Sequence, residues 1–230
     1  MNDKMAPTTI NRDLQALKAA MYTALRWKLI DQNPFAGVRF VQVPDAIPLF
    51  FTKGDFQKLL RAITEEWLKE IIIFATLTGM RRGEIINLRW KDIDLNKKLI
   101  FIQSSPTFKT KQGKRRVIPM NDAVYALLCR KRERLQNEEY IFVKRGRRIN
   151  DDHPSKMLKW YVAQTLGKEC KLHFHSLRHT FASWLVQDGV NIYEVQKLLG
   201  HSSVKVTEIY SHLAASELHN TVHRIKIPLN

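Results

Sequence analysis

The 230-residue sequence has only two cysteines, Cys129 and Cys170, so no disulfide framework is available and a reducing, cytoplasmic setting is expected. It also lacks any uninterrupted apolar run of membrane-spanning length. The longest candidate, "IIIFATLTGM" at 71–80, contains a glycine and runs straight into arginines, so it reads as a buried helix. The opening residues, "MNDKMAPTTINRD", hold no apolar stretch of the kind a secretory signal needs. There is no internal repeat and no low-complexity tract. Acid is scarce: 22 Asp and Glu stand against 38 Lys and Arg, a formal charge of +16. That imbalance suits a polyanion, nucleic acid above all, better than it suits a merely soluble surface.

The cations are also clustered. "KTKQGKRR" at 109–116 brings Lys109, Lys111, Lys114, Arg115 and Arg116 together without an acid, and "CRKRERLQ" and "KRGRR" follow. Clustering favours a binding face over diffuse solubility. With 44% hydrophobic residues the chain can bury a sizeable core, enough for one large domain or a medium one with an appendage.

Ile10, Leu14, Leu17, Met21 and Leu25 fall at helical spacing, which predicts a helix over 9–29 behind a Thr-Thr start suited to capping. Asn33-Pro34 stops it, and "VQVPDAIPLF" (41–50) reads as an extended linker. A new start follows at Thr52, with Asp55 three residues on in a capping-box pattern. One helix cannot bury its own apolar stripe, so residues 1–46 form a piece that must dock on something, and 47–230 carry the main domain. There the spacing predicts helices near 53–64, 66–78, 82–88, 121–136, 153–166, 175–188, 191–199 and 203–213. "KKLIFIQ" and "RRVIPM" predict short strands around a Gly-bearing turn, with "EYIFVK" (139–144) a further candidate. The predicted class is α-dominated α+β, mostly helical with a small antiparallel sheet.

The chemistry-bearing stretch is "KLHFHSLRHTFAS" (171–183). Cys170, His173, His175 and His179 make C-x2-H-x-H-x3-H, ligand types that zinc accepts. Against that, "HSLRH" contains no acid where a metallohydrolase helix has one, and Arg178 would sit among the ligands and repel a cation. The second reading is a phosphate site: His175 and Arg178 share a helical face, and Leu177, Phe181, Trp184 and Leu185 anchor it. A guanidinium fork beside a group that titrates near neutrality fits a phosphodiester. A structural His–Arg pair fits these residues equally well. Elsewhere, "TLTGMRRGEIINLRWKDID" (76–94) places Arg81 at a helix start, where backbone N–H groups favour an anion, with Glu84 in reach of its guanidinium. Arg82 and Arg89 read as solvated or as DNA-backbone contacts. "LLGHSSVKVTEIYSHL" (198–213) ends one helix at Gly200, exposes His201 and starts another that bears Tyr210.

"TGMRRGE", "HSLRHTFAS", "LLGHSS" and "TEIYSHL", in this order and spacing, resemble the motifs of the tyrosine recombinase family, the phage integrases and their relatives. The resemblance covers roughly residues 50–215. Residues 8–40 also resemble the last helix of that family's core-binding domain, so 1–46 are expected to be its C-terminal part plus a linker, with the chain starting late in it.

The resemblance implies a catalytic set: Arg81, His175, Arg178, His201, the nucleophile Tyr210, and Glu84 as the acid supporting Arg81. The family's lysine lies in the β-hairpin turn, and Lys111 matches it best. Lys109, Lys114, Arg115 and Arg116 would then contact the DNA backbone. Implied with these are a site-specific recombinase or integrase of prokaryotic or phage origin, cleavage through a 3′-phosphotyrosyl intermediate, and neither metal nor ATP. The implied partners are double-stranded DNA and a homo-tetramer on synapsed sites. The tail "AASELHNTVHRIKIPLN" is expected to dock on a neighbouring subunit. A type IB topoisomerase-like nicking-closing enzyme shares these residues. A metal-dependent nuclease and a non-enzymatic DNA binder explain fewer of them.

Overall fold

The computed structural model describes residues 5–43, 47–104, 108, 115–135 and 138–214. The chain divides into two compact units, Met1–Ala46 and Ile47–Asn230. The first contains helix α1 (Pro7–Arg26). It starts two residues earlier than expected, because Pro7 takes the first helical position, where its missing N–H is no loss. Ala6 is the N-cap residue and no side chain caps the helix, so the Thr8-Thr9 pair lies inside it. Asn11 clasps the backbone of Val41 in both directions, with N–O distances of 2.8 Å, folding 38–43 back along the helix. No α1 residue is buried, and Leu17, Tyr22 and Trp27 stay exposed.

The second unit opens with α2 (Lys53–Ala62). The Thr52 hydroxyl accepts from the Asp55 N–H at 3.0 Å and reaches the Asp55 carboxylate at 2.8 Å, the cap expected from the sequence. Then come α3 (Glu66–Thr78), α4 (Arg82–Ile86), the strands β1 (Ile93–Asp94), β2 (Leu99–Ile102) and β3 (Arg116–Pro119), and α5 (Asp122–Arg134). The strands pair antiparallel in chain order, with Ile100 opposite Ile118 and Phe101 opposite Val117. Alternation does the sorting: Ile100, Ile102 and Ile118 are buried, whereas Phe101 and Val117 face outward.

"EYIFVK" becomes a strand only at its end. β4 (Val143–Lys144) pairs with β5 (Arg147–Arg148), while Ile141 instead donates its N–H to Leu88 and both Ile141 and Phe142 are buried. Next are α6 (His153–Leu166), α7 (Phe174–Gln187) and α8 (Ile192–Leu199), followed by two 3-10 segments, Val204–Val206 and Glu208–Ala214. The helix expected over 203–213 is therefore two tight turns, not one α-helix.

α3 and α7 pack directly on each other and set the frame. Leu68, Ile71, Ile72, Phe74 and Ala75 of α3 and Leu177 of α7 lie fully inside the main core, where each large aliphatic or aromatic side chain contributes about 1.5–3 kcal/mol. A smaller cluster, Phe181, Ala182, Val186, Val195 and Leu199, closes around the ring of Tyr210. The start of the unit is tied to α7 by polar bonds: the Thr180 hydroxyl accepts from Phe51 N–H, and Trp184 Nε1 donates to Phe51 O.

Candidate active site

Two helices end at glycines with left-handed backbones, Gly79 after α3 (φ 62°) and Gly200 after α8 (φ 65°). Both positions demand glycine twice over. A Cβ on Gly79 would lie 2.4 Å from Phe181 Cδ1, and one on Gly200 would lie 2.6 Å from Arg116 Cδ. The last carbonyls of these helices carry partial negative charge, and arginines take them up. Arg178 Nη1 donates to Gly79 O at 2.7 Å and Nη2 to Leu199 O at 2.5 Å. Arg116 Nε donates to Leu198 O at 3.3 Å.

Glu84 is the hub. Its buried carboxylate accepts from Arg116 Nη1 and Nη2 at 2.8 and 2.6 Å, from Arg81 Nη1 at 3.2 Å, and from the Arg81 backbone N–H at 2.8 Å. Burial alone would raise its pKa. The hydrogen bonds and charge of Arg116, then the backbone N–H and charge of Arg81, outweigh that and hold it below the ordinary carboxylate value. Two expectations change here. Arg116 does not face outward as a DNA-backbone contact: its side chain, 11% exposed, packs against Glu84, because β3 begins beside the α8 terminus. Of the N–H groups that the sequence offers to an anion at the start of α4, that of Arg81 is taken by Glu84.

Arg178 is 2% exposed, and burial followed by the fields of Arg81 and Arg116 pushes its pKa down to about 9. His201 bonds Thr207 Oγ1 through Nδ1 at 2.9 Å, which leaves Nε2 as the nitrogen for a ligand. Burial, then Arg178, Arg81, His175 and Arg116, press His201 down to about 3. Two guanidinium groups thus bond one carboxylate, with Arg178 near enough to feel their charges. The histidine beside them is kept neutral by burial first and by their field second. The arrangement is short of negative charge. A cavity of about 540 Å³ opens on it, lined by Met80, Arg81, Arg82, Gly83, Ser155, His173, Phe174, His175 and Arg178.

Tyr210 does not line that cavity. It is 1% exposed and bonds His179 Nδ1 at 2.5 Å, and burial raises its pKa to about 12 against a weaker opposing pull from Arg178. His179, weighed from the sequence only as a metal ligand, is the contact that sequence reasoning missed. Its i,i+4 spacing from His175 was the available signal, and the two rings do stand edge to face at 4.8 Å. Among the described residues, no group of three or more His, Cys, Asp or Glu side chains is placed to hold a metal ion.

Arg89 is largely covered, whereas Arg82 keeps 35% of its side chain exposed. Arg82 bonds Ser155 and Asp152, and Arg89 pairs with Glu139 at 2.8 Å. Arg115 is exposed. Lys109, Lys111 and Lys114 lie outside the described residues, as do residues 215–230 of the tail.

Residues 50–217 match the phage integrase family. The chain belongs to it. Among phage integrase relatives, the tyrosine recombinase XerA of Pyrococcus furiosus is 30% identical over 225 residues, covering 95% of this chain and 74% of its own length. The tyrosine recombinase XerC of Thermodesulfovibrio yellowstonii is 30% identical over 227 residues, covering 92% and 73%. A crystal structure of XerA recombinase covers 99% of this chain and 86% of its own at TM-score 0.63 and 26% identity. The Tn1549 transposon integrase, solved with transposon right-end DNA, has TM-score 0.76 at 23% identity over 95% and 80%, a likeness of fold. The protein is accordingly a tyrosine recombinase, with the α-dominated α+β catalytic fold of the integrases and site-specific recombination as its activity. The topoisomerase and nuclease alternatives are not favoured.

Proposed function

We propose that this recombinase cleaves and rejoins double-stranded DNA at the cationic cavity, with Tyr210 as nucleophile. What supports the reading is a single observation, the grouping of Arg81, Arg116 and Arg178 around one carboxylate, Glu84, which bonds Arg81 and Arg116, with net positive charge left over. In-line attack on a phosphodiester builds charge on its nonbridging oxygens, and fixed guanidinium donors stabilise that charge without reorganising. Arg81 and Arg178 take those oxygens, with His201 Nε2 adding a hydrogen bond. Arg116 neutralises Glu84, which frees part of the Arg81 fork for the phosphate. Tyr210 loses its proton with His175 as base and forms a 3′-phosphotyrosyl link, and Lys111 protonates the departing 5′-oxygen. The link stores the energy of the broken bond, so a second 5′-hydroxyl reseals it without ATP, and the arginines fill the electrostatic role of a metal.

We further propose that residues 1–46 are the C-terminal part of a helical core-binding domain with its linker, and that the enzyme works as a homo-tetramer on synapsed sites. Among the described residues no helix is long and apolar enough to cross a membrane, which fits a DNA-associated enzyme.

The test is covalent capture. The protein is incubated in excess EDTA with a nicked half-site duplex, recovered beforehand by selection from a random pool, and run on a denaturing gel. A protein–DNA adduct that maps to Tyr210 is the expected result, and an adduct at another residue, or one that needs added metal, would overturn the reading. Sulfur in the bridging 5′ position makes a better leaving group. Lys111→Ala should therefore cleave that substrate nearly as well as wild type, while Arg81→Ala should not.

A further inference from the structure

Tyr210 is not among the residues that line the cavity it must serve. The cavity walls come from α4, α6, α7 and the segment before α7, whereas the Tyr210 ring lies in the small apolar cluster with Phe181, Val195 and Leu199. Among the described residues its hydroxyl bonds His179, the residue after Arg178 on α7, whose ring in turn stands edge-on to His175 on the cavity wall. The chain carrying Tyr210 is a 3-10 turn, a form that is easily remodelled because its hydrogen-bond geometry is poorer than that of an α-helix.

We propose that His179 is a positioning residue of this recombinase: its Nδ1 stores the Tyr210 hydroxyl outside the arginine-lined cavity, and cleavage begins when that hydrogen bond is given up. The inference rests on the reading of Tyr210 as nucleophile. Its chemistry is that of a store rather than of a base. Tyr210 is pushed up to about 12, while burial and then His175, His173 and Arg178 push His179 down to about 4, so both partners stay neutral across the physiological range and the proton stays on the phenol. A neutral hydrogen bond of ordinary strength shifts such an equilibrium by a factor of about 3 to 10. That is enough to hold the nucleophile back and small enough for the binding of DNA to overcome.

The experiment reads the store directly. Free protein is treated with tetranitromethane, and nitration is located by peptide mass spectrometry, with Tyr193, 58% exposed, as internal reference. In wild type, Tyr210 should react far more slowly than Tyr193; equal rates would overturn the proposal, whatever the variants do. His179→Phe keeps a ring in place and removes Nδ1. It should raise Tyr210 nitration, and the first-turnover rate of adduct formation on the selected half-site, by about 3–10-fold, with DNA affinity unchanged. His179→Asn restores a polar atom near the Nδ1 position and should return both rates toward wild type. A slower adduct rate in His179→Phe that His179→Asn repairs would make His179 a participant in the chemistry, and no change in either rate would make the bond inconsequential; both results overturn the proposal. An adduct formed by Tyr210→Phe would instead sink the assignment of the nucleophile, and the nitration rates would still report on the store.

Discussion

Helix α7 and the 3-10 segment Glu208–Ala214 carry opposite halves of the chemistry proposed above, and they are built in opposite ways. α7 runs fourteen residues with nine of them buried, and it pins Arg178 by two backbone carbonyls that belong to two other elements. The segment bearing Tyr210 runs seven residues in tight turns, and the tyrosine rests in a small side cluster with its hydroxyl bonded to His179. The difference follows from what each half must do. Groups that stabilise charge act best when fixed in advance, whereas a nucleophile has to travel to the phosphorus and back.

The largest effect should come from Tyr210→Phe: complete loss of the covalent adduct with DNA binding retained, read on a denaturing gel beside a mobility-shift assay. Thermal stability should barely change, since only one neutral bond is lost. A destabilisation as large as that of Arg178→Ala would break the comparison by showing the segment to be as structural as α7.

Arg178→Ala should slow adduct formation by about 10²–10³-fold or more, the range for one removed oxyanion donor. It should also lower the melting temperature, because the Gly79 and Leu199 carbonyls lose their buried donors. Glu84→Ala comes next. It leaves Arg116 and Arg81 without their shared carboxylate, a break of a buried pair worth about 3–5 kcal/mol. That should appear as a drop of roughly 6 to 20 °C in a thermal melt.

Acid should act in the same direction, but more gently. Glu84, His179 and His201 all have folded-state pKa values below their unfolded ones. The unfolded chain therefore takes up protons first, and the stability these groups contribute, present near pH 7, is lost as pH falls from about 6.5 through 4. Melts at pH 7, 5.5 and 4 should decline in order. In Glu84→Gln the decline below about pH 4.5 should be shallower, since that group no longer titrates. The smallest effect should belong to exposed Arg115. Arg115→Ala should reduce the slope of log affinity against log salt by about 0.9, the share of one phosphate contact, without altering cleavage of bound DNA.

Much of α7 was legible in advance. Its apolar spacing, the H-x-x-R pair and the neighbouring "TGMRRGE" are local patterns, and local periodicity fixes a long helix and its buried face. The Thr52 cap and the glycine terminators at 79 and 200 were equally readable, because each acts within a few residues. The 3-10 character of 203–213 was not, since its spacing fits an α-helix and only packing against α7 and α8 decides how tightly it winds. Arg116 shows the limit most clearly. In the sequence it is one cation among five in a basic run and reads as a surface contact. Its true partner is 32 residues away, and only the approach of β3 to α8 turns it inward onto Glu84.

The sequence by itself determined which chemical groups this protein has and which helices display them, because residue type, helical period and capping are properties of neighbours along the chain. Only the tertiary structure decided where the charges balance and what the Tyr210 hydroxyl bonds. The Arg116–Glu84 pair and the His179–Tyr210 bond join residues 32 and 31 positions apart, and contacts at that range depend on how whole elements pack.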